Sequence, residues 1–195
     1  MYKTFLKRGF DLALASMALF VLLPVFAVII ILIKLDTKGP AIFKQKRIGL
    51  NKDTFYLYKF RTMKADTPKN IPTHLLQNPD LYITRVGGFL RQTSLDELPQ
   101  LYNIIKGDMS IVGPRPALWN QDDLVAERDK YKANNIRPGL TGWAQINGRD
   151  EVPIPIKASL DGVYVKNLSW VMDVKCIIKT VKAVITRAGI LEGSK

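Results

Sequence analysis

The sequence predicts an α+β fold in which an apolar N-terminal helix is followed by a small β-hairpin and a mostly helical domain. Residues 12–33 hold no charged side chain, which is typical of a membrane-embedded helix. Two short segments rich in Ile, Phe and Tyr follow, on either side of a polar turn. Near the C-terminus, apolar and basic side chains recur with helical spacing. We therefore expect two parts, a membrane helix in residues 1–39 and a cytoplasmic domain in residues 40–195.

The apolar run is longer than the roughly 20 residues that a crossing needs, but Pro24 lies near its middle. Proline removes a helical hydrogen bond and its ring clashes with the preceding turn, so we expect a break there. Since positive charge resists export, we expect a re-entrant helix with both ends in the cytoplasm, in preference to a spanning helix or a cleaved signal peptide. Basic residues flank both ends of the run: Lys3, Lys7 and Arg8 before it, and Lys34, Lys38, Lys44, Lys46 and Arg47 after it.

The whole chain carries 29 Lys and Arg against 17 Asp and Glu, a net charge of +12. Much of the surplus lies in residues 1–60, beside the membrane helix, where each nearby cation gains about 1 kcal/mol from anionic lipid. We therefore expect anionic membrane lipids as partners. No basic-aromatic motif, zinc pattern or helix-turn-helix signature supports binding of nucleic acid. A single cysteine, Cys176, excludes an intrachain disulfide framework.

A β-hairpin is predicted for residues 41–49 and 54–63, with a polar turn between them. Lys59 and Arg61 fall on the same face of its second strand and would form a small cationic surface. The following segment, up to residue 82, holds three prolines and many polar side chains, which indicates a loop. We interpret its histidine, His74, as a solvated residue rather than a catalytic one.

Asp96 and Glu97 form a pair of carboxylates at the expected start of a helix. A helix start presents free N–H groups and the positive end of a dipole, and a divalent metal fits beside two negative partners there. The same residues also fit a capping box, in which Ser94 and Glu97 satisfy backbone donors. The spacing of the residues leaves both interpretations open.

Two helices are predicted around this pair. A short one over residues 86–92 would carry Arg91 toward the carboxylates. The second begins at the pair and suits a C-terminal cap at Gly107. Positions three and four apart give it one apolar face, which comprises Leu98, Leu101, Tyr102 and Ile105.

Two loops that contain arginine follow. Pro114 and Pro116 fix the backbone on both sides of Arg115, which lowers the entropy lost when its guanidinium binds a phosphate. Residues 137–143 place Arg137 beside two glycines and a tryptophan, and glycines allow backbone to approach a ligand. The first loop is also compatible with a surface arginine that binds nothing, and the second loop taken alone is only weak evidence of ligand contact.

A helix with one apolar and one basic face is predicted from Ser169 onward. Such a helix can lie in the headgroup plane of a membrane, although packing on the domain core explains the apolar face equally well. The sequence leaves both open. The apolar face comprises Trp170, Val174, Ile177, Ile178, Val181 and Ile185, and the basic face Lys175, Lys179, Lys182 and Arg187.

These motifs resemble the bacterial monotopic phosphoglycosyl transferases, also called bacterial sugar transferases. The resemblance covers nearly the whole chain and rests on the segments FLKRGFDL, YKFRTM, SLDELPQLYNIIKGDMSIVGPRP and RPGLTGWAQINGR. It implies an enzyme of the bacterial inner membrane, with its catalytic domain on the cytoplasmic face. Such enzymes move a sugar 1-phosphate from a UDP-sugar to undecaprenyl phosphate, with Mg²⁺ as cofactor. The family often has Ser-Pro at the break of the membrane helix, where this chain has Leu23-Pro24.

The resemblance also implies residue roles. Asp96 is the nucleophile and a Mg²⁺ ligand, and Glu97 completes the catalytic pair. Asp96 would attack the sugar-bearing phosphorus of the UDP-sugar, release UMP and carry the phosphosugar on its carboxylate. Substrate binding is implied for residues around the pair and in the second loop: Lys59, Arg91, Pro114, Arg115, Pro116, Arg137, Gln145 and Arg149.

Two other classes of protein stay open. A membrane-associated, metal-dependent phosphodiesterase would use the same groups but pass the phosphoryl group to water. A non-enzymatic membrane scaffold would keep the helix and tolerate loss of Asp96. The segments WNQDDLVAERDKY and GRDEVPIPIKASLDG resemble relatives linked to N-acetylated amino sugars, so we expect such a donor. The sequence leaves a homodimer open.

Overall fold

A computed structural model describes residues 2–67, 79–148 and 152–186 of the chain. The predicted loop residue His74, the predicted substrate ligand Arg149 and Arg187 of the basic face lie outside the described residues. Within the described ranges the fold is α+β, as the sequence predicts.

The described elements are mostly helical, with two small sheets. Strands β1 and β2 pair antiparallel as the predicted hairpin, and β3 and β4 pair parallel. The helices are α1 (Lys7–Asp36), α2 (Arg85–Gln92), α3 (Gln100–Lys106), α4 (Asp122–Asp129), α5 (Trp143–Ile146), α6 (Ile154–Lys166) and α7 (Trp170–Ile185). The strands are β1 (Ile42–Ile48), β2 (Thr54–Phe60), β3 (Ser110–Val112) and β4 (Gly139–Thr141). A 3₁₀ turn, Leu95–Glu97, lies between α2 and α3.

Strand β2 joins the hairpin to the helices. Its alternating side chains turn Phe55 and Leu57 inward, where they pack against α1 and α3. The free edge of β2 is closed by Asn103 of α3. The Asn103 amide accepts a hydrogen bond from the Tyr58 N–H at 3.0 Å and donates one to the Tyr56 carbonyl at 2.8 Å. Because this fully buried side chain imitates a paired strand, it fixes α3, and with it the turn before α3, against the hairpin.

The predicted cationic surface of Lys59 and Arg61 is wrong for Arg61, which is buried. Its guanidinium donates to the carbonyl oxygens of Thr37 and Lys38 and to the Thr37 hydroxyl at 2.7–2.9 Å. Backbone carbonyls that leave a helix and are shielded from water need hydrogen-bond donors. Arg61 supplies them just beyond α1, so only Lys59 remains available to a site.

Helix α1 is continuous from Lys7 to Asp36 with Pro24 inside it, so the predicted separation into two helical segments is not seen. A proline lacks one N–H donor, but the hydrogen bonds of the neighbouring turns can persist around it. By length and composition α1 can cross a membrane. Its re-entrant path stays a prediction.

Both ends of α1 are bonded to the same domain. Near its start, Asp11 accepts hydrogen bonds from the Ser110 hydroxyl at 2.7 Å and the Ile111 N–H at 3.1 Å. At its end, Asp36 accepts one from the Val86 N–H at 3.1 Å. Between these points one side of α1 packs on the domain, and the opposite side exposes apolar residues that include Met17, Phe20, Val21, Leu23, Val28, Ile31 and Leu35.

Helix α7 begins where the sequence predicts, at Ser169, whose hydroxyl accepts a hydrogen bond from the Met172 N–H. Its inner side buries Asp173 and Cys176 against the domain. Most of the predicted apolar face lies on the outer side, although Ile177 packs inward. Packing on the core therefore does not explain this face. Its outward members are Trp170, Val174, Ile178 and Val181, which are 41–63% exposed.

Candidate active site

The pair of Asp96 and Glu97 lies in the 3₁₀ turn, and α3 begins only at Gln100. The predicted helix start at the pair is therefore wrong. The capping box is not formed either, because Ser94 is left-handed, with φ 55°, and its hydroxyl makes no capping bond. Pro99 sets the start of α3, since a residue without an N–H suits the first turn of a helix. The charges of surrounding side chains, not a helix terminus, determine the electrostatics of the pair.

Glu97 is held by two cations. Lys59 Nζ donates to Glu97 Oε1 at 2.7 Å, and both terminal nitrogens of Arg115 lie 3.4 Å from the same oxygen. Burial by itself would raise the pKa of Glu97, but these two positive charges and their hydrogen bonds outweigh it and hold the pKa well below the usual range. Glu97 is therefore an ionised acid that fixes Lys59 and Arg115 at the turn.

Asp96 has a different environment from its neighbour. It is 9% exposed, and its carboxylate accepts no hydrogen bond within the described part of the chain. The nearest cation is Lys59, whose Nζ lies 3.7 Å from Asp96 Oδ2. Burial raises the pKa of Asp96 and the negative charge of Glu97 adds to the shift, while the positive charges of Lys59, Arg91 and Arg115 oppose it. The two adjacent acids thus differ: one is committed to ion pairs, and the other keeps its lone pairs free.

The structure confirms part of the apolar face predicted for α3. Leu101 is buried and Gly107 caps the C-terminus with φ +103°, as predicted. Tyr102, however, is 52% exposed, and Ile104 is fully buried instead. The buried face is rotated because Asn103, a polar residue that the apolar pattern ignores, turns inward to reach β2.

The loop of residues 114–116 is held through its backbone. Its three carbonyl oxygens accept, in order, from the Gly139 N–H at 2.9 Å, Arg128 Nη1 at 3.0 Å and Arg47 Nη1 at 2.9 Å. With every carbonyl bonded and a proline on each side, the backbone of Arg115 has little freedom left. The Arg115 guanidinium is therefore presented to Glu97 from a rigid support.

Glycines of the second predicted loop bring two stretches of backbone together. A Cβ atom on Gly139 would lie 2.1 Å from the Gly113 nitrogen, and one on Gly142 would lie 2.0 Å from the Gly113 oxygen. Any larger residue at either position would collide with backbone. These glycines therefore allow a close approach to Gly113, just before residues 114–116, and their predicted contact with a ligand stays a prediction.

The other residues predicted in and after this loop lie in different surroundings. Arg137 donates to the Gly107 carbonyl beyond the C-terminal end of α3, away from the acidic pair. Trp143 lies against Lys175 and Lys179, whose Nζ atoms are 5.0 and 5.3 Å from its ring centroid. Gln145 lies beside Gly142, and its buried Oε1 has no hydrogen-bond partner among the described residues. Of the predicted binding residues, Lys59, Arg91 and Arg115 surround the pair, with Pro114 and Pro116 beside Arg115.

A buried ion pair that sequence reasoning missed supports this arrangement. Arg128 on α4 donates through Nε and Nη2 to Asp161 Oδ2 on α6 at 2.8 and 2.7 Å, and the side chains are 4% and 1% exposed. The same guanidinium bonds the Arg115 carbonyl. The partners are 33 residues apart on helices without a clear apolar stripe, so no local pattern reveals them.

Replacing Arg128 by Met is expected to lower the free energy of unfolding by about 3–5 kcal/mol, because Asp161 is left buried without its counter-ion. Chemical denaturation of the purified protein in detergent measures the change. Adding Asp161→Leu to Arg128→Met removes the unpaired charge and is expected to restore most of the loss. A loss below about 1 kcal/mol for Arg128→Met alone would show that the pair does not support the loop.

The model of the family described as bacterial sugar transferase matches residues 2–187, nearly the whole chain. The chain belongs to this family. The resemblance expected from the sequence motifs is confirmed, and the matched range of this bacterial sugar transferase includes α1, the acidic pair and α7.

Three relatives of this bacterial sugar transferase show how the similarity is distributed. The uncharacterized sugar transferase EpsL of Bacillus subtilis is 40% identical over 185 residues, which cover 95% of this chain and 90% of that protein. The UDP-N-acetylgalactosamine-undecaprenyl-phosphate N-acetylgalactosaminephosphotransferase of Aeromonas hydrophila is 37% identical, covering 95% of this chain and 45% of that protein. The UDP-glucose:undecaprenyl-phosphate glucose-1-phosphate transferase of Escherichia coli is 39% identical, covering 90% and 39%. The chain thus spans less than half of these last two relatives.

Proposed function

We propose that this bacterial sugar transferase moves a sugar 1-phosphate from a UDP-sugar to undecaprenyl phosphate. Two relatives are named for such transfers, with N-acetylgalactosamine and with glucose. The observation that supports the proposal most directly is the Asp96 carboxylate, which is buried, accepts no hydrogen bond from the described residues and feels three positive charges. Such a carboxylate is free to form a bond to an electrophilic phosphorus.

The proposed reaction has two steps. An Asp96 oxygen attacks the sugar-bearing β-phosphorus, the bond from that phosphorus to the bridging oxygen breaks, and UMP leaves with the bonding electrons. A phosphate oxygen of undecaprenyl phosphate then attacks the same phosphorus and releases the Asp96 carboxylate. The covalent intermediate lets a soluble, charged donor and a lipid acceptor bind in turn at one site.

The cations around the pair are suited to the diphosphate of the donor. Glu97 keeps Lys59 and Arg115 in place before substrate binds. Arg115 lies at the long separation of 3.4 Å from Glu97, so a shorter, bidentate contact with a phosphate would replace a weak one. Arg91, on the last turn of α2, adds a third positive charge that acts on Asp96.

The residues present fit the proposed Mg²⁺. This ion binds through one or two carboxylates together with waters and substrate phosphates. Asp96 offers oxygens that no protein donor occupies among the described residues, and would hold the ion together with oxygens of the diphosphate. When bound, Mg²⁺ would neutralise negative charge that develops on the phosphate groups.

Arg115→Ala is expected to raise the KM for the UDP-sugar about 10- to 100-fold, with a smaller effect on kcat, because a charge-assisted contact to phosphate contributes about 1.5–3 kcal/mol. UMP release measured against UDP-sugar concentration separates the two parameters. Arg115→Lys keeps the charge but loses the planar fork, so an intermediate KM is expected. An unchanged KM in Arg115→Ala would remove this residue from nucleotide binding.

The anchoring of α1 supports a location on one side of the membrane. A spanning helix holds its ends on opposite sides of a core about 30 Å thick, whereas Asp11 and Asp36 are bonded to the same domain. Positive flanks favour the cytoplasmic face of the inner membrane. The outward apolar side of α7, with Lys175, Lys179 and Lys182 beside it, would then lie in the headgroup region of anionic lipids.

Single cysteines at positions 3 and 44 are expected to be shielded from a membrane-impermeant thiol reagent outside intact cells, because both ends of α1 stay in the cytoplasm. The native Cys176 is fully buried and burial raises the pKa of its thiol to about 11; Cys176→Ala removes it from the assay. Permeabilised cells should label at both positions. Labelling at position 3 alone in intact cells would establish a spanning helix.

A panel of UDP-sugars tests the proposed function. With undecaprenyl phosphate present, we expect UMP and a sugar-diphospholipid, with an N-acetylated amino sugar as the preferred donor. Release of free sugar phosphate that is independent of lipid would instead identify the phosphodiesterase. Absence of UMP with every donor, from folded protein in a membrane, would favour the scaffold.

A further inference from the structure

Two arginines meet beyond the C-terminal end of α3, at the opposite end of that helix from the acidic pair. Arg8 donates through Nη1 to the Ile104 carbonyl at 2.6 Å and through Nη2 to the Ile105 carbonyl at 3.0 Å. Arg137 donates through Nε to the Gly107 carbonyl at 2.9 Å. Arg8 Nη2 would lie 3.5 Å from a Cβ atom on Gly107, so both guanidinium groups lie beside this glycine.

Arg8 and Arg137 carry more positive charge than is needed to balance the partial negative charge at the C-terminus of α3. A helix C-terminus carries about half a unit of negative charge, against two full positive charges. Neither arginine forms an ion pair within the described residues. Two acids lie nearby: Asp11 is bonded to Ser110 and Ile111 and its negative charge also acts on Arg8, and Asp108 is bonded to Lys106 and Asn103.

Arg8 lies where α1 enters the apolar region. Phe5, Leu6 and Phe10 around it are 80%, 46% and 57% exposed, so lipid is their natural environment. The adjacent Lys7 is not available to lipid, because its Nζ is bonded to Asp173 at 2.6 Å and its side chain is 12% exposed. At this end of α1, the proposed membrane placement therefore puts the two arginines, rather than Lys7, at the level of the lipid headgroups.

We propose that Arg8 and Arg137 form a binding site for the phosphate group of a membrane lipid, separate from the acidic pair. Guanidinium groups bind phosphate in bidentate fashion, and the terminal nitrogens of Arg137 have no bond among the described residues. Because α3 is about 10 Å long and lies between this site and Asp96, a phosphate held here is out of reach of attack. The phosphate could belong to a glycerophospholipid or to the polyprenyl acceptor before it moves to Asp96. The site rests on the proposed membrane placement but not on the proposed chemistry.

Lipid titration of the full-length protein in detergent, with bound lipid counted by native mass spectrometry, tests the site. Phosphatidylglycerol and undecaprenyl phosphate are the two phosphate lipids, and diacylglycerol is the control without phosphate. UDP-sugar is absent, so the result is independent of turnover. The variants are Arg8→Gln and Arg137→Gln, with Lys130→Gln as a matched loss of one exposed charge just after α4.

We expect each site variant to bind phosphate lipid about tenfold more weakly or worse, with diacylglycerol binding and Lys130→Gln unchanged. An effect on both phosphate lipids would indicate a general headgroup site, and an effect on undecaprenyl phosphate alone would indicate the acceptor. Arg137→Gln can keep a donor to Gly107, and Arg137→Lys keeps the charge and should recover part of the affinity, which separates binding from folding. Unchanged affinity for both phosphate lipids in Arg137→Gln would overturn the proposal.

Discussion

Asp96→Asn is expected to lower turnover by a factor on the order of 10³ or more while the protein keeps its fold. The amide has the shape of the carboxylate but lacks the nucleophilic oxygen that would bond to phosphorus. The fold should tolerate the change because the Asp96 carboxylate accepts no hydrogen bond within the described residues. UMP release and thermal unfolding of the same preparation measure the two effects.

Asp53→Asn is the matched control, since this acid is exposed in the turn of the hairpin. Its turnover and melting temperature should equal those of the unmodified protein. A turnover in Asp96→Asn within about tenfold of the unmodified protein, which corresponds to only 1.4 kcal/mol, would exclude Asp96 as the nucleophile.

Glu97→Gln is expected to lower turnover about 100-fold or more. The amide keeps the size of the side chain but removes the negative charge that holds Lys59 at 2.7 Å and Arg115 at 3.4 Å. Charge-assisted contacts of this kind contribute about 1.5–3 kcal/mol each, and loss of their common anion frees both cations from the turn.

Because Asp96 and Glu97 have different proposed roles, the Glu97→Gln and Asp96→Asn variants should differ in whether they form the covalent intermediate. Glu97→Gln keeps Asp96, the proposed nucleophile, so incubation with the donor alone should still form the covalent intermediate, only slowly. Asp96→Asn should form none. Formation of the intermediate at the normal rate in Glu97→Gln would show that the ion pairs of Glu97 do not serve the first step.

The sequence predicted the ends of helices and the hairpin well where a single residue, or a short run of residues, determines the backbone conformation. Gly107 ends α3 with a positive φ, and Ser169 starts α7 because its hydroxyl accepts a hydrogen bond from the Met172 N–H. The β-hairpin follows from two short segments rich in Ile, Phe and Tyr on either side of a polar turn. Such features depend on neighbours within a few residues, so a single sequence contains them.

The position of the acidic pair shows where local reasoning fails. Ser94 and Glu97 have the spacing of a capping box, yet Pro99 delays the helix and leaves the pair in a tighter turn. Arg61 likewise has the alternation of a surface strand residue, but distant carbonyls beyond α1 draw it inward. In both cases the requirements of the backbone, a proline without an N–H or carbonyls that need donors, outweigh the spacing of the side chains.

The supports of Arg115 could not be predicted because they come from distant parts of the chain. Arg47, Arg128 and Asp161 belong to β1, α4 and α6, and they converge only after the chain folds. The sequence identified Arg115 through its flanking prolines, which is a local signal. What holds those prolines in place is tertiary structure.

The proposed function depends on a covalent intermediate at Asp96. Identifying the residue that carries the phosphosugar is therefore its most direct test. The purified protein is incubated with a UDP-sugar labelled in the β-phosphate, without lipid acceptor, and then digested for mass spectrometry. We predict one equivalent of UMP and one labelled phosphosugar on Asp96, which disappears into a sugar-diphospholipid when undecaprenyl phosphate is added. A label on another residue, or lipid-linked product formed by folded Asp96→Asn protein, would contradict the mechanism.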